Sequence, residues 1–195
     1  MLAFLFTLVL LVQNKPNEYN LQQLVETYKR LVFNTAINFL QHREEAEDIT
    51  QEVFIEVYQS LTKFKEQSTI STWIYRITVN KCLDHLRAKK RQKRFGFLTS
   101  LFHPETGEEL TEISHFDHPG IEIEKKEKAR FLFKVIEALP ENQKTAFILW
   151  HIEELPQKEI AEIMQSSVKA VESLLQRAKA NLRKELEKIY PERRI

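Results

Sequence analysis

Cysteine occurs once in this chain and glycine three times, and no apolar run is long enough to cross a membrane as a helix. The lone Cys82 excludes an internal disulfide and suits a reducing cytosol. So little glycine, with no strand-like alternation of apolar and polar residues, argues against a sheet protein built on tight turns. The fold class expected is all-α. The apolar run Leu2 to Val12 falls well short of the roughly 20 residues a spanning helix needs. It also lacks the basic start and small-residue cleavage site of a signal peptide. We read it as a first helix packed into the core, with a mis-assigned start codon or a hydrophobic docking segment as alternatives, and expect a cytoplasmic protein. The six histidines are scattered. His115-Phe-Asp-His118 comes nearest to a metal set, but without cysteine partners it does not make a zinc site. Neither metal nor cofactor is expected.

What the chain does hold is segregated charge. Its net charge of +1 conceals a basic cluster, six of the eight residues from Arg87 to Arg94, followed by Gly96 to Glu124 with seven acids and no lysine or arginine. The distribution, rather than the total, speaks to partners. At 195 residues and 43% apolar content the chain suits one ordinary domain or two small ones.

Helical periodicity runs from Leu21 to Leu40 and again from about Glu44 to Phe64. After the polar break Lys65 to Ser71, Ser71 or Thr72 serves as N-cap for a third helix reaching the basic cluster near Lys90. From about Phe95 to Ile123 periodicity lapses among Gly96, Pro104, Gly107 and Pro119, which reads as a flexible acidic linker. Helical pattern resumes near Glu124 and continues to Leu139. Pro140 opens the next helix, to about His151, and two more follow, the last extending to about Ile189. The layout expected is a helical domain over residues 1–94, a linker over 95–123 and a second helical domain over 124–195.

Three segments carry chemistry. Glu45, Asp48, Glu52 and Glu56 lie three, four and four residues apart, so they share one helical stripe. Like charges so spaced cost a few tenths of a kcal/mol per pair in an isolated helix. A basic partner surface turns that cost into affinity and faster encounter, whereas an ordinary solvated face would carry the same charges with no partner. Next, Trp73, Tyr75 and Arg76 follow a polar loop and lead into Asn80, Lys81, Arg87 and Lys89. Unpaired bases are held by aromatic stacking, with cations on the phosphates. Trp73, Ile74 and Ile77 fit a core face equally well by spacing, and Tyr75 and Arg76 fall nearer the opposite face. Last, Leu155 to Met164 and Ser167 to Arg177 form a helix-turn-helix. Ile160, Ala161 and Met164 face inward on its first helix, and Val168, Val171 and Leu175 on its second. Ser167 caps that second helix, whose N-terminal residues would read base edges in a duplex. Glu172 would accept from a cytosine amine and Gln176 would pair with adenine. A helical hairpin used only for packing is the alternative.

These segments resemble, in their order, the extracytoplasmic-function subfamily of bacterial RNA polymerase sigma factors, over about Leu24 to Leu186 outside the linker. Glu47-Asp48-Ile-Thr-Gln51-Glu52-Val-Phe54 is similar to the motif that docks on the clamp helices of RNA polymerase. Ser71-Thr-Trp-Ile-Tyr-Arg-Ile77, with Asn80, Asp84 and Leu86-Arg87, resembles the segment that melts the −10 element and captures its bases. Leu139-Pro140 through Arg177-Ala178 resembles the domain that reads the −35 element. The resemblance implies that Asp48, Gln51, Glu52 and Phe54 bind polymerase. It implies that Lys65, Ser68, Ser71, Trp73, Tyr75, Arg76, Asn80 and Arg87 handle melted −10 DNA. It assigns the −35 duplex to Ser167, Lys169, Glu172, Ser173, Gln176 and Arg177. In the family the acidic tether threads channels otherwise occupied by RNA, and an anti-sigma factor is a further implied partner.

Two departures from the family pattern stand out. The turn of the helix-turn-helix has Gln165 and Ser166 where glycine and an apolar residue are usual, so Gln165 must adopt a left-handed conformation or the turn must differ. On the recognition helix Glu172 and Leu174 occupy places that are often basic. The function expected is promoter recognition for core RNA polymerase, with no catalytic residue, no small-molecule substrate and no stable membrane insertion. A stand-alone helix-turn-helix regulator is the first rival. The second, a DNA-processing enzyme, would need acids converging on a metal, and Glu45, Asp48 and Glu52 have no second acidic motif to complete such a site.

Overall fold

The computed structural model describes residues 21–102 and 131–189, and all regular structure among them is helical. Helix α1 spans Leu21–Leu40 and buries Leu24, Val25, Val32, Ala36 and Phe39 along one face, the consequence of their three- and four-residue steps. It ends at Gln41, whose φ of 56° is left-handed without a glycine. The Gln41 side chain offsets part of that strain by donating from Nε2 to the Asn38 carbonyl at 2.7 Å. Helix α2, Arg43–Ser60, starts on His42, whose Nδ1 accepts from the Glu45 N–H. Ala46, Ile49, Val53, Phe54 and Val57 form its buried face, and a 3₁₀ turn, Leu61–Lys63, follows.

Helix α3 spans Ile70–Phe102. Its cap is Thr69, whose Oγ1 accepts from the Thr72 N–H at 3.2 Å, and not the expected Ser71 or Thr72. Ser68, Thr69, Ser71 and Thr72 offer the same chemistry within five positions. Thr72 is instead buried inside the first turn, its hydroxyl 2.7 Å from that of Thr69. The helix also persists beyond its expected end near Lys90, so the first residues of the expected linker, 95–102, continue it. Lys89, Lys90, Arg91, Gln92, Lys93 and Arg94 are strong helix formers and carry the helix past its expected end. The rest of the expected linker, 103–123, lies outside the described residues, as do the apolar run Leu2 to Val12 and His115 to His118.

Two compact units form, one of Met1–Lys65 and Ile77–Asp117, the other of Glu66–Arg76 and His118–Ile195, with α3 continuous through the boundary. In the first unit Val32, Phe39, Val53, Phe54, Val57 and Cys82 are among the most deeply buried side chains. The second contains α4 over residues 131–137, α5 over Glu141–Phe147, α6 over Gln157–Ile163 and α7 over Val168–Ile189. Pro140 precedes α5, which widens into a π-helical turn, Ile148–Ile152. Ile136, Ile148, Leu149, Ile160, Val171 and Ala178 are fully buried and form this core. Among the described residues no helix is long and apolar enough to cross a membrane.

Candidate functional site

On α2 the apolar residues turn inward, and Asp48 and Glu52 are exposed on the other side. The acidic stripe is not uniform. Glu45 is drawn onto α3, where Lys89 Nζ donates to one carboxylate oxygen and His85 Nε2 lies 2.9 Å from the other. Burial alone would raise the Glu45 carboxyl pKa, but the hydrogen bonds and charges of Lys89 and His85 outweigh it and hold it below its ordinary value. Lys81 lies 3.7 Å from Glu52 and 4.0 Å from Glu56. Asp48 has no ion-pair partner among the described residues and stands in the middle of the stripe. Gln51 beside it is half-buried. Phe54, expected to bind polymerase, has a side chain that is wholly buried in the core.

The basic partners of the stripe went unrecognised in the sequence. Lys81, His85 and Lys89 recur every four residues, the same helical step as the acids. The pairs run in reverse order, 45 with 85 and 89, and 52 and 56 with 81. Reversed order means that α2 and this part of α3 are antiparallel.

Along α3, Trp73, Arg76, Asn80, Asp84 and Arg87 follow one another at three- and four-residue steps, on one stripe. Asn80 and Arg87 are exposed, Trp73 and Arg76 half-buried. The opposite stripe, Ile74, Thr78 and Cys82, is fully buried. Tyr75 belongs to the buried side, at 9% exposure, which corrects its expected place beside Arg76. One residue along a helix turns the side chain by 100°, enough to move it from rim to core. Within the second unit the Tyr75 hydroxyl donates to Glu153 at 3.2 Å, and Arg76 Nη2 donates to the Glu162 carbonyl at 3.0 Å. Lys65 is exposed in the preceding loop, and Ser68 and Ser71 are half-buried. Arg87 is bonded to Asp84 at 3.0 Å, and Lys90, Arg91, Lys93 and Arg94 are exposed beyond it.

The helix-turn-helix forms with the unusual turn. Gln165 is left-handed, at φ 50°. The Ser166 N–H donates to the Ala161 carbonyl at 2.9 Å and the Gln165 N–H to Glu162 at 3.3 Å, the paired bonds of a Schellman cap. Ser167 caps α7, its hydroxyl accepting from the Ala170 N–H at 3.1 Å. Ile160, Ala161 and Ile163 are buried on α6, with Met164 only half so. On α7 the core residues are Val171, Leu175, Ala178 and Leu182, while Val168 is 43% exposed rather than inward. It occupies the first turn, beyond the end of α6, where no neighbour covers it. Lys169, Glu172, Gln176 and Arg177 are exposed, and Ser173 is half-buried. Ser173 receives Arg177, whose Nε and Nη2 donate to its carbonyl and hydroxyl. Lys179 lies over the Trp150 ring, 4.4 Å from its centroid.

This geometry has relatives. Residues 24–92 match the family model described as Sigma-70 region 2, and residues 132–182 match Sigma-70, region 4. An "RNA polymerase sigma-H factor" of Pseudomonas aeruginosa is 31% identical, with 87% of each chain covered. An "ECF RNA polymerase sigma-E factor" of Haemophilus influenzae is 33% identical, with 86% of each covered. The chain belongs to the ECF sigma factors. Proteins of this family direct transcription initiation by RNA polymerase and are not enzymes, and this sigma factor does the same. Its fold is similar to that of the sigma factor RpoE in complex with the anti-sigma factor NepR from Bartonella quintana. That likeness has a TM-score of 0.61 and 17% identity, and covers 85% of this chain and 96% of the other. Among the described residues no cluster of acids, histidines or cysteines could hold a metal ion. Among the described residues the sigma factor presents an acidic helix α2, a long helix α3 with an aromatic start and a basic end, and an exposed row on α7.

Proposed function

We propose that this sigma factor divides its work between its two halves, residues 1–94 holding polymerase and −10 DNA and residues 124–195 reading the −35 duplex. On α2, Asp48 and Glu52 carry the polymerase contact with Gln51 beside them. On α3, Trp73, Arg76, Asn80 and Arg87 share the stripe that meets melted −10 DNA, and Lys65, Ser68 and Ser71 approach it from the loop. Tyr75 joins them only if its side chain leaves the buried side. On α7, Ser167, Lys169, Glu172, Ser173, Gln176 and Arg177 meet the −35 element. The observation that carries this reading is the split surface of α2, a largely apolar inner face behind an outer face whose central acid, Asp48, has no ion-pair partner among the described residues. A carboxylate so placed is free to meet a cation on another molecule.

An anti-sigma factor is a proposed partner, as one is for the structurally similar RpoE, and the proposed compartment is the cytoplasm, where polymerase works. The test is run-off transcription on fragmented host DNA with core polymerase, with and without this protein. Discrete new transcripts are expected, and aligned start sites would give both promoter elements. Asp48→Lys with Glu52→Lys should abolish binding to core while leaving helicity and melting intact. Unchanged core affinity in a folded double variant would remove α2 from the polymerase contact. Tight, sequence-specific duplex binding without polymerase would favour the stand-alone regulator.

A further inference from the structure

The geometry points to Val168, Glu172 and Gln176 as the base-reading row of α7, selecting in succession a thymine methyl, a cytosine amine and an adenine. The inference rests on the reading of α7 as the −35 duplex reader and states what that helix reads. The three residues stand at four-residue steps from the first turn of the helix and all are exposed. Four residues advance a helix by about 6 Å, and base pairs are about 3.4 Å apart, so each step moves roughly two base pairs along the groove.

Val168 is one of two large apolar side chains exposed among the described residues, and it sits where a recognition helix enters the major groove. The only apolar group on a base edge there is the thymine methyl. Glu172 has no ion-pair partner among the described residues and no hydrogen to donate when ionised. Beside the phosphates a carboxylate is repelled unless it meets a base donor, and it pairs with the cytosine N4 amine. Guanine, with only acceptors on that edge, is excluded. Gln176 both donates and accepts, the pattern adenine matches through N6 and N7.

Neighbouring cations are disposed differently. Arg177 is folded back onto Ser173 through two hydrogen bonds, at 3.2 and 2.9 Å, and Lys179 lies over Trp150. Neither is extended outward from the helix as a guanine-reading side chain would be. With Lys169 on the adjoining row they are suited to phosphates, which position the helix without reading sequence.

The experiment changes each −35 base pair, one at a time, on a promoter recovered by run-off, and counts transcripts with the full chain and core polymerase. Glu172→Ala should flatten the preference at one cytosine position by roughly 5- to 150-fold, the range a good base contact carries. Glu172→Arg should move that same preference from cytosine to guanine, a gain that a poorly folded variant cannot produce. Replacing thymine by uracil, which lacks the methyl, at the position read by Val168 should weaken the wild type and leave Val168→Ala unaffected. Gln176→Ala should relax an adenine. If the wild type selects −35 bases and the variants keep its preferences, the row is not the reader and the inference falls. Should the wild type itself be indifferent to every −35 pair, the assignment of α7 to the duplex falls with it.

Discussion

Glu45 shows how a single residue can serve the fold at the expense of the surface it was expected to furnish. Its carboxylate is held by Lys89 and His85, so it braces α2 against α3 instead of projecting to a partner. Because the folded-state pKa is depressed, its contribution is fully present above the unfolded value, near 4.5, and is lost as pH falls through the folded value. Glu45→Gln should therefore lower stability by about 1 kcal/mol near neutral pH, in line with a partly exposed ion pair. The gap from wild type should close as pH falls through the depressed folded-state value of Glu45, where the wild-type carboxyl itself becomes protonated. Thermal melts of both proteins from pH 7 downward measure this, and a gap that persists in acid would mean that shape rather than charge is lost. Phe54 makes the complementary case. A motif match placed it at the polymerase, yet it is buried, so Phe54→Ala should cost about 3–5 kcal/mol of stability. Denaturant unfolding would detect it, and an unchanged midpoint with weakened core binding would restore the original assignment.

At the scale of elements, much was legible because helices announce their faces. The spacing of Leu24, Val25, Val32, Ala36 and Phe39 gave α1 its bounds and buried side together. Ser167 was readable as a cap because it directly precedes the first residue of the helical row beginning at Val168. Thr69 was not, because the hydroxyls around it carry the same signal. Val168 was misjudged for a related reason. Periodicity says which way a side chain points, but not whether anything stands opposite it at the helix end. At the turn between α6 and α7 the sequence left two outcomes, a left-handed Gln165 or a different turn, and Gln165 is left-handed. A side chain with a Cβ is strained there, so Gln165→Gly should stabilise the protein by about 0.5–1 kcal/mol, the strain relieved exceeding the added chain entropy. A higher midpoint in chemical unfolding is the expected result. No gain would mean that the Schellman bonds already absorb the strain.

Over the whole molecule the segregation of charge decides how affinity and sequence selection are shared. On the proposed assignment the −35 base-reading groups lie on α7 and the −10 stripe on α3 ends at Arg87, whereas the exposed cations Lys90, Arg91 and Arg94 crowd the part of α3 beyond it. Cations on phosphates give affinity without selectivity. Lys90→Ala, Arg91→Ala and Arg94→Ala together should therefore weaken promoter-complex formation by similar factors at every promoter and leave their rank order intact. Each phosphate contact adds about 0.7–0.9 to the slope of log affinity against log salt. The triple variant should lower the magnitude of that slope by about 2 to 3. Filter binding of the polymerase complex to two promoters between low and physiological salt tests both claims at once. A changed rank order would put base-specific contacts on the basic cluster. An unchanged slope would free it from the phosphates and leave its positive charge for the polymerase, in opposition to the acids of α2.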